Sequence, residues 1–158
     1  MSDLCPFGEE FQPYWERLSL KERQMSFDEE GLRTFNPLPI GFRLAQKMKS
    51  ENVFDCFSGL GGLSIAFGMA GKQVHGIELN AHRVQLAQAN AKLFGVEEKV
   101  DFVCADAISA LGGSLNLKGQ GLILDPPWAG TAYGEFPSFK LAHFKPNGIQ
   151  LLLVAFKT

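Results

Sequence analysis

At 158 residues, with 46% hydrophobic and 20% charged side chains, the chain can bury the core of one domain and is too apolar to remain unfolded. A formal net charge of −2 excludes a protein that coats nucleic acid through charge alone, though not one that holds a single base in a local site. No apolar run approaches the roughly 20 residues that span a bilayer, and the N-terminus lacks the basic-then-apolar pattern of a signal peptide.

Cys5, Cys56 and Cys104 are far apart and show no metal-ligand spacing, so no metal site is expected. They suit reduced thiols in an intracellular protein of nucleus or cytoplasm, and the apolar stretches around Cys56 and Cys104 predict core positions for both.

Residues 1–39 are polar and studded irregularly with Phe7, Phe11, Tyr14, Trp15 and Phe27. This pattern predicts an N-terminal arm of short helices packed on something larger, a candidate substrate-side extension. Residues 40–158 then carry the main domain. Ile40, Leu44, Ala45 and Met48 recur at helical spacing, after Pro37 and Pro39. Val53 to Phe57 reads as a strand, followed by a glycine-rich turn (Ser58 to Gly62) and a helix over 63–70. Val74 to Leu79 is a second strand, and 81–94 a helix closed by Gly95. Val100 to Cys104 is the third strand, 107–111 a short helix, and Gly121 to Leu124 the fourth strand. Strands alternating with helices predict an α/β fold with a parallel, doubly wound sheet. Residues 151–156 are a short apolar run that periodicity alone assigns neither to strand nor to helix.

Three strand ends carry chemistry. Asp55 leads into the turn holding Ser58, Gly59 and Gly61, where glycines let a nucleotide-like ligand approach the backbone. Glu78 ends the second strand, placed to accept hydrogen bonds from ribose hydroxyls. Asp106 follows the third, placed to accept one from an adenine amino group. A dinucleotide site would share these features, but it does not account for what ends the fourth strand.

There the sequence runs Asp125-Pro126-Pro127-Trp128. An exocyclic or amide nitrogen is a poor nucleophile because its lone pair is delocalised. Carboxylate and carbonyl acceptors that hold its hydrogens favour development of that lone pair. Asp125 offers the carboxylate, the stiff prolyl pair offers carbonyls, with Pro126 foremost, and Trp128 offers a face for stacking a base.

The glycine turn and its acids resemble the class I S-adenosylmethionine-dependent methyltransferases, with Asp55, Gly59 and Gly61 matching the first motif. Asp125-Pro126-Pro127-Trp128 resembles the motif of those acting on exocyclic or amide nitrogens. A narrower resemblance is to the trimethylguanosine synthases, the RNA cap guanine-N2 methyltransferases. It rests on Pro126-Pro127-Trp128-Ala129-Gly130 and the aromatic loop with Tyr133 and Phe136. Tyr14-Trp15-Glu16-Arg17, Asp28-Glu29-Glu30-Gly31, Asn90-Ala91 and Phe94-Gly95-Val96 also carry it. The sequence departs from that pattern in having Asp125 in place of a common serine, and Phe35-Asn36-Pro37-Leu38-Pro39 in place of Phe-Ser-Val-Thr-Pro.

The resemblance implies a Rossmann-like fold and S-adenosylmethionine as cofactor, held by Asp55, Ser58, Gly59, Gly61, Glu78, Asp106 and Asp125. It implies catalysis by Asp125, Pro126 and Trp128, and a 7-methylguanosine RNA cap bound by Trp128 and Tyr133, with Trp128 stacked on the cationic base. It also makes the tail a helix and the sheet a truncated one, ending after the fourth strand and the following helix, with an exposed edge open to self-association. Three readings of the acceptor side stay open: a cap or other RNA or DNA base amine, a non-catalytic remnant that binds cofactor or cap, and an amide or small molecule.

Overall fold

The computed structural model describes residues 4–113, 117–127 and 140–156, without the side chains of Phe11 and Tyr14. Among these, a parallel sheet runs in the order β3-β2-β1-β4, with β1 Asn52–Asp55, β2 Gln73–Glu78, β3 Val100–Cys104 and β4 Gly121–Ile123. The register pairs Asp55 with Gly76 on one side and with Ile123 on the other, so the carboxyl ends of β1, β2 and β4 open at one level. This is the Rossmann-like α/β arrangement, in which strand order reverses beside the first strand.

Alternation along each strand divides the core between two faces. Val53, Val74, Val100, Phe102 and Ile123 face one layer, where α3 (Leu38–Lys47), α4 (Gly62–Met69) and α5 (Ala81–Phe94) pack. Phe54, Ile77, Leu122 and Leu124 face the other, covered by α6 (Ala107–Gly113) and α7 (Gly148–Ala155) through Leu111 and Leu151. The tail is thus helical from Gly148 to Ala155, with Asn147 accepting from the amides of Ile149 and Gln150 as its cap. No helix among the described residues is long and apolar enough to cross a membrane.

Two sequence expectations need correction. The buried stripe of α3 is Leu38, Gly41 and Ala45, whereas Ile40 and Leu44 remain 48% and 44% exposed. A Cβ at residue 41 would lie 2.5 Å from that of Ala66, so α3 turns its smallest residue toward α4 to approach it closely. Cys104 is exposed rather than buried, because it ends β3, the outermost strand, and its thiol donates to the Leu79 carbonyl. Cys56 is buried as expected.

The N-terminal segment shares the first core layer. Trp15, Leu18, Met25, Leu32 and Phe35 are buried, and Phe27 sits edge-on between the rings of Trp15 and Phe35. Polar ties accompany this packing. Asn90 of α5 accepts from the Ser26 amide and donates to the carbonyls of Ser26 and Leu60. Arg83 donates to Asp28 and Glu30, where Asp28 caps α2 (Glu29–Thr34) through the Gly31 amide. The Glu22 carboxylate, 2% exposed, accepts from the backbone amides of Ser19 and Leu38.

Candidate functional site

The turn after β1 is held by its backbone. The Ser58 amide donates to the Ile77 carbonyl at the end of β2, and the Gly61 amide returns to the Ser58 carbonyl at 2.8 Å. Gly61 has φ of 86° and would drive a Cβ to within 2.9 Å of the Phe102 ring. Gly59 has φ of 52°, and a Cβ there would meet nothing within 4 Å. Glycine at 61 is therefore required twice over, by conformation and by space, while 59 leaves the turn's rim bare for a ligand.

Asp55 sits beneath this turn, 1% exposed. Its Oδ2 accepts from the Ser64 hydroxyl at 2.7 Å, while Oδ1 and the nearby buried Ser58 hydroxyl have no hydrogen-bond partner among the described residues. Burial pushes the Asp55 carboxyl up to about 6; the Ser64 hydroxyl and Phe57 backbone pull the other way, and the negative charges of Asp125 and Glu78 add to the rise. The charges of Asp125, beyond β4, and Glu78, at the end of β2, thus both reach Asp55 at the end of β1. Glu78 is oriented by two amides, Gly59 to Oε2 at 3.0 Å and Asn80 to Oε1 at 2.8 Å.

Asp125 lies just beyond β4, and its Oδ2 accepts from the Asn36 side-chain amide at 2.8 Å. Pro126 is buried and Pro127 exposed. The Pro127 carbonyl accepts from the Lys145 amide at 3.1 Å. Asp106 stands past the end of β3, across β2 from Asp55. It is exposed and accepts from the Ser109 amide at the start of α6, a bond that, with the Ser109 hydroxyl, lowers its pKa below the usual carboxylate value.

The structure therefore brings Asp55, Ser58, Gly59, Gly61, Glu78 and Asp125 to adjoining strand ends, with Asp106 at the rim. Trp128 and Tyr133 lie outside the described residues. Sequence reasoning missed Asn36 as a partner of Asp125, and Ser64 as the donor to Asp55. Ser64 had a signal, as the polar residue in an otherwise apolar helical run. Asn36 lies in a segment already compared with a family pattern, but its pairing with Asp125, 89 positions away, was not legible.

A profile of the RNA cap guanine-N2 methyltransferase family matches residues 50–158. The chain belongs to that family. Among curated relatives, it is 27% identical over 116 residues to the trimethylguanosine synthase of Saccharomyces cerevisiae, covering 68% of this chain and 35% of that protein. It is also 33% identical over 84 residues to a 23S rRNA (uracil(1939)-C(5))-methyltransferase, RlmD, of Marinomonas posidonica, covering 52% of this chain and 19% of that one. The chain thus spans 19% to 35% of the length of such relatives. Among solved structures, NSun6 from Pyrococcus horikoshii shares the fold with a TM-score of 0.57 at 19% identity, over 78% of this chain and 34% of that one.

The family's methyl donor, S-adenosylmethionine, fits the groups present. Its sulfonium and ammonium charges match a strand-end cluster of three carboxylates. Its ribose hydroxyls match the amide-oriented Glu78, and the unpartnered Asp55 Oδ1 and Ser58 hydroxyl remain to be satisfied.

Proposed function

We propose that this chain transfers a methyl group from S-adenosylmethionine to the exocyclic amine of a nucleic-acid base, with the guanine N2 of a 7-methylguanosine RNA cap as acceptor. The observation that carries this reading is Asp125, a carboxylate held by Asn36 at the end of β4, close enough to the cofactor-side acid Asp55 to raise its pKa.

The donor supplies an electrophilic methyl group on a sulfonium sulfur; the protein supplies position and electrostatics. Glu78 takes the ribose hydroxyls, and Asp106 at the rim takes the adenine amino group. Ser58, Gly59 and Gly61 present backbone and hydroxyl to the rest of the donor, above Asp55. On the acceptor side, Asp125 and the Pro126 carbonyl accept the two hydrogens of the base amine. They hold its lone pair toward the methyl group and stabilise the positive charge that develops on nitrogen as the N–C bond forms and the S–C bond breaks; the sulfur would leave as a neutral thioether and Asp125 would take the proton that the methylated nitrogen releases. Trp128 and Tyr133 supply stacking faces, and a cationic 7-methylguanine gains about 1–3 kcal/mol on such a face. Residues 1–39 serve as the substrate-side extension, since they deliver Asn36 to Asp125.

The test is transfer of labelled methyl groups to a panel of 7-methylguanosine cap analogue, uncapped RNA, DNA and a glutamine peptide. The cap analogue is expected to accept methyl groups on N2. Asp125→Ala should lower kcat by about 100- to 1000-fold, well beyond the loss of donor affinity that calorimetry records for removal of one of three carboxylates. Transfer to uncapped RNA or DNA but not to the cap would overturn the cap assignment, and transfer to the peptide alone would overturn the base.

A further inference from the structure

The hydrogen bond between Asn36 and Asp125 joins the N-terminal segment to the acceptor side of the site, and the surroundings of Asn36 are built to keep it there. Pro37 follows it and disfavours helical backbone at residue 36. One residue further on, the Leu38 amide donates to the buried Glu22 carboxylate at 2.7 Å. The Asn36 carbonyl lies against the first residue of α4, so closely that a Cβ on Gly62 would sit 2.5 Å from its oxygen. The peptide is therefore held on both sides, and Asn36 reaches Asp125 from a fixed backbone. Asp125 itself follows a strand and precedes a proline, which fixes its own backbone in turn.

We infer that Asn36 is a positioning residue for Asp125: its amide holds Oδ2 and so restricts the rotation of the carboxylate that accepts a hydrogen of the substrate amine. This rests on the role proposed above for Asp125, and adds that the N-terminal segment completes the acceptor site through one side chain. A carboxylate on a short stem rotates readily about its terminal torsion, and a small misdirection of a catalytic acceptor costs about 100-fold in rate.

The experiment is a double-mutant cycle in the full chain: wild type, Asn36→Ala, Asp125→Ala and the pair, with Asn36→Asp as a further variant. Each is measured for donor affinity, melting temperature, and kcat and KM on the acceptor that the wild type uses best. Asn36→Ala is expected to lower kcat by about 10- to 100-fold with KM and donor affinity within about 3-fold of wild type. Asn36→Asp, which sets a like charge against Asp125, should do at least as much damage. The pair should be no worse than Asp125→Ala alone, because Asn36 acts through Asp125. Losses that multiply in the pair, or an unchanged kcat in Asn36→Ala, overturn the inference.

A readout without turnover separates this from failure of the functional reading. The side-chain amide resonances of Asn36 in the free protein should shift in Asp125→Ala and stay put in Ser64→Ala. If the wild type methylates nothing in the panel, the functional reading falls, and an amide resonance indifferent to Asp125→Ala brings this inference down as well.

Discussion

Asp55 shows how one buried carboxyl links stability, pH and ligand charge. Its folded value of about 6 stands above the 3.8 of an ordinary aspartate. The folded chain therefore keeps a proton that the unfolded chain releases. The sign follows directly: this group destabilises the fold progressively as pH rises from about 4 to about 6, by about 3 kcal/mol in all, and adds no further slope above that. Asp55→Asn should flatten this component, read as the difference between mutant and wild-type denaturation midpoints across that range. Donor binding should run the opposite way. A cationic ligand favours charged Asp55, so wild-type affinity for S-adenosylmethionine should rise from pH 5 to pH 7, and Asp55→Asn should lose most of that rise. A pH-independent wild-type affinity would separate Asp55 from the ligand.

The elements around the site were legible where local chemistry governs them. Asp55, the glycine turn, Glu78 and the capping glycine of α5, Gly95 at φ of 68°, are short-range features, and the strands and helices from β1 to β4 follow the order read from the sequence, whereas the apolar run of α7 did not decide between strand and helix. Asp125, Pro126 and Pro127 follow β4 directly, as the sequence order had them. What the sequence concealed is contact across distance. The rotation of α3 depends on the Gly41–Ala66 approach, and the exposure of Cys104 depends on which strand is outermost. Asn90 is the sharpest case. It reads as one polar residue in a helix, yet it is 1% exposed and makes three hydrogen bonds, two to Ser26 and one to Leu60. Asn90→Ala strands a buried amide and two carbonyls, and should cost about 2–4 kcal/mol by urea denaturation, with donor affinity falling too because Leu60 belongs to the glycine turn. A loss under 1 kcal/mol would mean that water replaces the side chain.

At the scale of the whole molecule, the sheet explains why Asp55, Glu78 and Asp125 gather at one end, and the N-terminal segment reaches that end through Asn36. Irregular aromatic spacing predicted short helices for that segment but could not say what they cover, since Trp15, Phe27 and Phe35 find their partners only in the folded core. They lie over the layer from which the glycine turn springs. Gly31 packs on Leu60, and Gly62 on Phe35 and the Asn36 carbonyl. A segment and a loop that share their packing in this way open as one cooperative unit. Hydrogen–deuterium exchange would expose that unit: saturating S-adenosylmethionine, at about 100 times its dissociation constant, should slow exchange about 100-fold at the Gly61 amide. The same slowing should reach the Ser26, Gly31 and Leu32 amides, 26 to 32 residues into the chain and remote in sequence from every group assigned to the donor. The cofactor would then be a clasp that fastens the beginning of the polypeptide to its middle.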